Sequence, residues 1–105
     1  MKIIPAIDLR GGAVVRLKQG DFAQTRHFDH DAAALALRYA EAGADRLHVV
    51  DLDGARAGTP MQVELLASIA KKSGLQVQAG GGVRTRADVE RLLAGGIARV
   101  VAGSV

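Results

Sequence analysis

The sequence contains no cysteine. That excludes a disulfide framework, a cysteine–zinc site and a thiol nucleophile, and it fits a reducing compartment such as the cytoplasm. Aromatic residues are nearly missing: one tyrosine, two phenylalanines and no tryptophan. The net charge is +3 and the pI near 9.8, but the charges are scattered and ten of the fourteen cations are arginine. With so little to stack bases and no concentrated basic face, no nucleic-acid partner is expected. Long apolar runs are also missing. Nothing approaches the ~18 residues of a membrane span, and Met1-Lys2-Ile3-Ile4-Pro5 meets Asp8 too soon to be a signal peptide. No membrane partner is expected either. What remains is a chain of 105 residues, 49% hydrophobic and 24% charged. It is too apolar for a disordered segment and long enough to bury one core.

Short apolar runs alternate with helical stretches. Ile3–Leu9, Leu47–Leu52, Leu75–Ala79 and Arg99–Ala102 read as strands buried on both faces of a parallel sheet. Between them, one helix starts after Asp31 and stops at Gly43, with Ala33, Ala36, Leu37, Ala40 and Ala44 on one face. A second starts at Thr59-Pro60-Met61-Gln62, with Thr59 as cap, Pro60 at the first turn and Gln62 closing a capping box, and ends before Gly74. A third runs from about Arg86, capped by Thr85, to Gly95-Gly96. The β-α-β-α-β-α-β order implies an α/β fold with right-handed crossovers. Gly43-Ala44-Asp45-Arg46-Leu47 overlays Gly96-Ile97-Ala98-Arg99-Val100. This is either a repeated αβ unit, as a barrel requires, or the common look of helix-to-strand junctions. One connection is long, from Arg10 to His30, where two to six residues are usual. It holds Arg16, Lys18, Asp21 and Arg26, and Val14-Val15-Arg16-Leu17 could form an extra strand inside it.

Parallel α/β folds gather their chemistry at the C-terminal ends of the strands. Those ends are Asp8, Asp51 with Asp53, Gly80-Gly81-Gly82 and Gly103-Ser104. Asp8 shares a strand face with Ile4 and Ala6. A carboxylate at the mouth of an apolar wall suits a general base, while a loop-starting Asp equally caps local backbone. Gly80-Gly81-Gly82-Val83-Arg84-Thr85 lets backbone N–H groups approach an anion just before a helix N-terminus, with phosphate or sulfate the natural occupant. Alternatively it is a flexible turn. Gly103 and Ser104 could complete the same cradle. His48 shares a face with Val50 and Leu52 and could contact a substrate, although a lone strand histidine is more often a satisfied core residue. Asp51 and Asp53 lack partners at ligand spacing, so hydrogen bonding suits them better than metal. Lys2, Arg46 and Arg99 each start a strand and could cluster at a barrel floor.

Taken together, Ile3-Ile4-Pro5-Ala6-Ile7-Asp8-Leu9, Gly12-Ala13-Val14-Val15-Arg16-Leu17 with Gln19-Gly20-Asp21, Leu47-His48-Val49-Val50-Asp51-Leu52-Asp53-Gly54-Ala55, Gln78-Ala79-Gly80-Gly81-Gly82-Val83-Arg84 and Val101-Ala102-Gly103-Ser104 carry a resemblance. The chain resembles the N-terminal half of the histidine-biosynthesis isomerases that act on phosphoribosylformimino-aminoimidazole carboxamide ribotide. By that resemblance, Ala6-Ile7-Asp8 and Arg16 favour the isomerases over the related cyclases. The resemblance implies half of a (β/α)8 TIM barrel, (βα)3β with parallel strands over 1–105, with the fourth helix and the last four strands absent. It implies an Amadori rearrangement of an aminoaldose to an aminoketose, without metal or cofactor, on a substrate with a phosphate at each end. Asp8 would be the general base at C2, Gly81, Gly82, Gly103 and Ser104 the phosphate cradle, and Arg16 and His48 substrate contacts. The family's general acid, an Asp ending the fifth barrel strand, has no counterpart here, so this chain alone is expected to be inactive. A second expectation is a non-catalytic phosphate-binding half that self-associates through the open edges of its first and fourth strands, or pairs with a C-terminal half. A third is a bifunctional isomerase that also takes phosphoribosyl anthranilate.

Overall fold

A computed structural model describes residues 4–17 and 31–102. Its elements run β1 (Ala6–Arg10), β2 (Ala13–Leu17), α1 (Ala32–Glu41), β3 (Arg46–Asp51), α2 (Leu52–Ala57), α3 (Val63–Ser73), β4 (Gln76–Gly80), α4 (Arg86–Ala94) and β5 (Arg99–Val101). The sheet order is β2-β1-β3-β4-β5, with β1, β3, β4 and β5 parallel and β2 antiparallel to β1. The four expected strands and three expected helices are all present. Lys18, Asp21, Arg26, Gly103, Ser104 and Lys2 lie outside the described residues.

Local signals explain most boundaries. The Asp31 carboxylate accepts from the N–H groups of Ala33 and Ala34 and so starts α1. Thr85 starts α4 through a reciprocal capping box with Asp88. Gly43, Gly74 and Gly96 take positive φ directly after their helices, a conformation that only glycine reaches without strain.

Alternate strand residues point to opposite faces of the sheet. Ile7, Leu9, Leu47, Val49, Val77 and Ala79 are fully buried and pack with Leu35, Ala36 and Tyr39 of α1, Leu66 and Ile69 of α3, and Leu92 of α4. Each fully buried Leu or Ile contributes on the order of 2 kcal/mol. Burial pushes the Tyr39 hydroxyl above its ordinary pKa. The other face carries Ala6, His48, Val50 and Gln78, which are half-buried, and Arg46, Gln76, Arg99 and Val101, which are exposed. The strands are therefore buried on one face, not on both, because the described helices cover only that face.

Four further expectations need correcting. The first strand is not an edge: β2 pairs along its free side, so β2 and β5 are the outer strands among the described residues. The second expected helix does not start at Thr59. Its first residue is Val63, and Gln62 stands at the cap position without a side-chain cap bond. The amides of Met61 and Gln62 donate instead to the Asp51 carboxylate, which does the work expected of a Thr59 cap. Leu52 is not strand but the first residue of the short helix α2. Leu37 is 42% exposed rather than on the buried face of α1, which runs through Ala32, Leu35, Ala36 and Tyr39.

Candidate functional site

The parallel register brings the expected site residues to one level. Asp8 pairs with Arg16 on one side and Val50 on the other, and Val50 pairs in turn with Gly80. Strands lie about 4.8 Å apart, so Asp8 and the start of the glycine turn are separated by roughly 10 Å on the same sheet face. Asp8 is only 3% exposed although it sits on the open face. His48 aligns with Ala6 and Gln78, two residues before the Asp8 level, and is half-buried on that same face. Arg16 is exposed. The register slips between Asp8 and Leu9, which pair with Arg16 and Val14 and leave Val15 bulged outward. A bulge of this kind re-aims the side chains beside it. Here it places Arg16 directly across from Asp8.

The glycine turn is built differently from a simple cradle. Gly81 and Gly82 have φ of 118° and 77°. A Cβ on Gly81 would overlap the Asp51 carbonyl oxygen, and one on Gly82 would overlap the Gly54 carbonyl oxygen and come within 2.8 Å of the Thr59 nitrogen. The missing side chains therefore make room first for the protein's own backbone. The two amides leading into α4 are also engaged. The Asp88 carboxylate accepts from the N–H groups of Arg84 (3.0 Å) and Thr85 (3.1 Å), and these two bonds hold its pKa below the ordinary carboxylate value.

Asp51 is the residue whose importance sequence reasoning understated. It is 1% exposed, and four donors reach its carboxylate. Oδ1 accepts from Gly54 N (2.8 Å) and Gln62 Nε2 (2.6 Å), and Oδ2 from Met61 N (2.8 Å) and Gln62 N (3.0 Å). A buried carboxylate with four donors is well compensated for its lost hydration. Asp53 accepts from Gly11 N at 2.7 Å. Both acids thus serve hydrogen bonding, as their spacing suggested. The missed signal was Asp51-Leu52-Asp53-Gly54 ending at Gly58, a cap-to-αL pattern for one short helix.

Among the described residues, no three histidine or carboxylate side chains stand together as metal ligands would. No described helix is long and apolar enough to cross a membrane. A depression of about 430 Å³ lined by Ala44, Arg46, Ser73 and Gln76 lies at the opposite ends of the strands from Asp8. Arg46 and Arg99 share the open face, but Arg99 is level with Gln78 and His48, two residues beyond the Arg46 level, so the two do not meet at one floor.

A family described as histidine biosynthesis protein matches residues 2–105. In Synechococcus elongatus, a 1-(5-phosphoribosyl)-5-((5-phosphoribosylamino)methylideneamino) imidazole-4-carboxamide isomerase is 52% identical over 105 residues, covering 100% of this chain and 41% of the relative. Isomerases of the same name from Rubrobacter xylanophilus and Xanthomonas campestris pv. campestris are each 50% identical, over 97% and 98% of this chain and 42% of each relative. The chain spans about two-fifths of the length of these relatives.

Proposed function

The chain belongs to the histidine-biosynthesis protein family, and from that premise we propose that it carries the base-bearing half of an isomerase site for a ribotide with two phosphoribosyl groups. The observation that supports this most is Asp8, a buried carboxylate aligned on one open face with Arg16, His48 and the glycine turn. Such a substrate needs an anion grip and, some way along the sugar, a base. Gly81 and Gly82, with Gly103 and Ser104, take the phosphate. Asp8 takes the C2 proton of the ring-opened aminoaldose. The electron pair left at C2 forms the C1=C2 bond of an enaminol as the C1=N bond becomes a single bond. Loss of the enol proton and return of a proton to C1 gives the aminoketose, with no net oxidant or reductant. Arg16 and His48 contact the sugar. The acid that opens the ring is not among these residues, so the chain alone turns over negligibly. A reducing cytoplasm suits such an enzyme.

Joining this chain to the remaining three-fifths of the Synechococcus elongatus relative tests the reading. The joined protein isomerises the relative's substrate. Asp8→Asn lowers its kcat by about 10³-fold, the usual scale for a lost general base, with KM little changed. An Asp8→Asn protein that keeps its kcat defeats the assignment.

A second reading is favoured by the exposed apolar side chains of Ile4 (37%) and Val101 (41%) near the open face. A phosphate-binding half that pairs with a copy of itself would cover them. Sedimentation of the 105-residue chain distinguishes the two: a strictly monomeric, folded species rules out self-pairing.

A further inference from the structure

The turn of the β1–β2 hairpin, Gly11-Gly12, touches nothing through side chains of its own. It is held from outside. Gly12 N donates to Gln62 Oε1 at 2.8 Å, and Gly11 N to Asp53 Oδ2 at 2.7 Å. The other end of the Gln62 amide reaches the Leu9 carbonyl at 3.4 Å and the Asp51 carboxylate at 2.6 Å. Gln62 is 9% exposed and stands at the start of α3, some fifty residues along the chain from the turn it grips. Asp51 fixes the orientation of that amide, because a carboxylate accepts only and so must face the NH2 end. The oxygen end is thereby turned to Gly12. The backbone of the same Asp51 is what Gly81 packs against. One buried residue therefore ties together, through its carboxylate, the hairpin that carries Asp8 and Arg16 and, through its main chain, the turn that carries the glycines.

We infer that Gln62 is a positioning residue: oriented by Asp51, it clamps the Gly11-Gly12 turn and so sets where Asp8 and Arg16 stand relative to the glycine turn. That this places a base rests on the reading of Asp8 above. The clamp itself does not, because it is measurable in the chain without substrate.

Two variants of the 105-residue chain test it by amide exchange and NMR. Gln62→Leu keeps the bulk and removes both ends of the clamp. Exchange at Gly12 rises tenfold or more while Gly11, still bonded to Asp53, changes less; the Asp8 and Arg16 amide signals move, and the α3 amides of Ile69 and Ala70 stay protected. Gln62→Glu supplies the distinguishing readout. Protonated, its O–H donates to Asp51 and its C=O accepts from Gly12, which rebuilds the clamp. Ionised, it faces the Asp51 carboxylate and releases the turn. Burial and that neighbouring charge hold its titration above the ordinary Glu value of about 4.3. Gly12 in this variant is accordingly protected in acid and released as pH rises, beyond the intrinsic pH trend seen in the unsubstituted chain. Gly12 exchange that stays within twofold in Gln62→Leu, or that follows only the intrinsic trend in Gln62→Glu, overturns the inference. Should Gln62→Leu unfold, the Gln62→Glu profile still decides. Absence of isomerase activity in the joined protein would defeat the proposed function and leave these readouts untouched.

Discussion

A methyl group added at Gly11 or Gly12 would meet nothing within 4 Å, whereas one added at Gly81 or Gly82 would overlap the backbone of the β3–α2 junction. All four glycines have positive φ. The first pair is glycine for conformation alone, in a turn secured by the side chains of Asp53 and Gln62. The second pair is glycine for conformation and for space, in a turn secured by main chain against main chain. Identical residue types at two neighbouring turns thus answer different demands. The packed turn is set by the fold. The clamped turn is set by two side chains, so it is the more easily moved of the two.

This contrast is breakable by substitution. The largest effect is expected at the packed turn: Gly82→Ala combines backbone strain of about 1–3 kcal/mol with an overlap that only main-chain movement relieves, for a loss of at least ~3 kcal/mol in urea melts. Asp51→Ala comes next. It leaves the Gln62 side chain and three backbone amides without their shared acceptor and costs on the order of 3 kcal/mol, with the Gly12 clamp lost as well. At the clamped turn, Gly12→Ala costs about 1 kcal/mol, and Gly12→Asn less, because only the left-handed conformation is at issue. A change at Gly12 as costly as that at Gly82 would erase the distinction.

An effect as small as that at Gly12 belongs to the capping box behind the glycine turn. Thr85→Ala costs about 1 kcal/mol. The Asp88 carboxyl has its pKa lowered, chiefly by the Arg84 and Thr85 amides. Its contribution is therefore complete above the unfolded value of about 3.9 and is lost as pH falls through the lower folded value. Asp88→Asn flattens that part of the acid limb in urea melts taken between pH 2 and 5. An unchanged acid limb would show that the box holds the helix start without ionic help.

The legible parts of the fold were those with local causes. Asp31 and Thr85 cap their helices through bonds to residues two or three positions on, and Gly43, Gly74 and Gly96 end them through their own φ. The strands declared themselves by apolar runs, and the parallel order followed from the helices between them. The unread parts have distant causes. Gln62 looked like half of a capping box because its true partners, Asp51, Leu9 and Gly12, are far away in sequence. Helix α2 is six residues long and too short for periodicity to reveal. One-sided burial depends on which layer covers each sheet face, which apolar runs do not encode. Asp8, His48 and Arg16, named from the sequence, lie on one face of the sheet. The glycine turn stood out as a cradle, whereas its missing side chains leave room first for the backbone of Asp51 and Gly54.

The central claim is that Asp8 and the glycine turn face one ligand. NMR titration of the 105-residue chain with inorganic phosphate and then with ribose 5-phosphate tests it most directly. Phosphate alone moves the amides of Gly81, Gly82, Gly103 and Ser104. The sugar phosphate moves those and, in addition, Asp8, Arg16 and His48, with the same midpoint. Shifts confined to scattered surface arginines, or a glycine turn that responds while Asp8 stays fixed under both ligands, would contradict a single site.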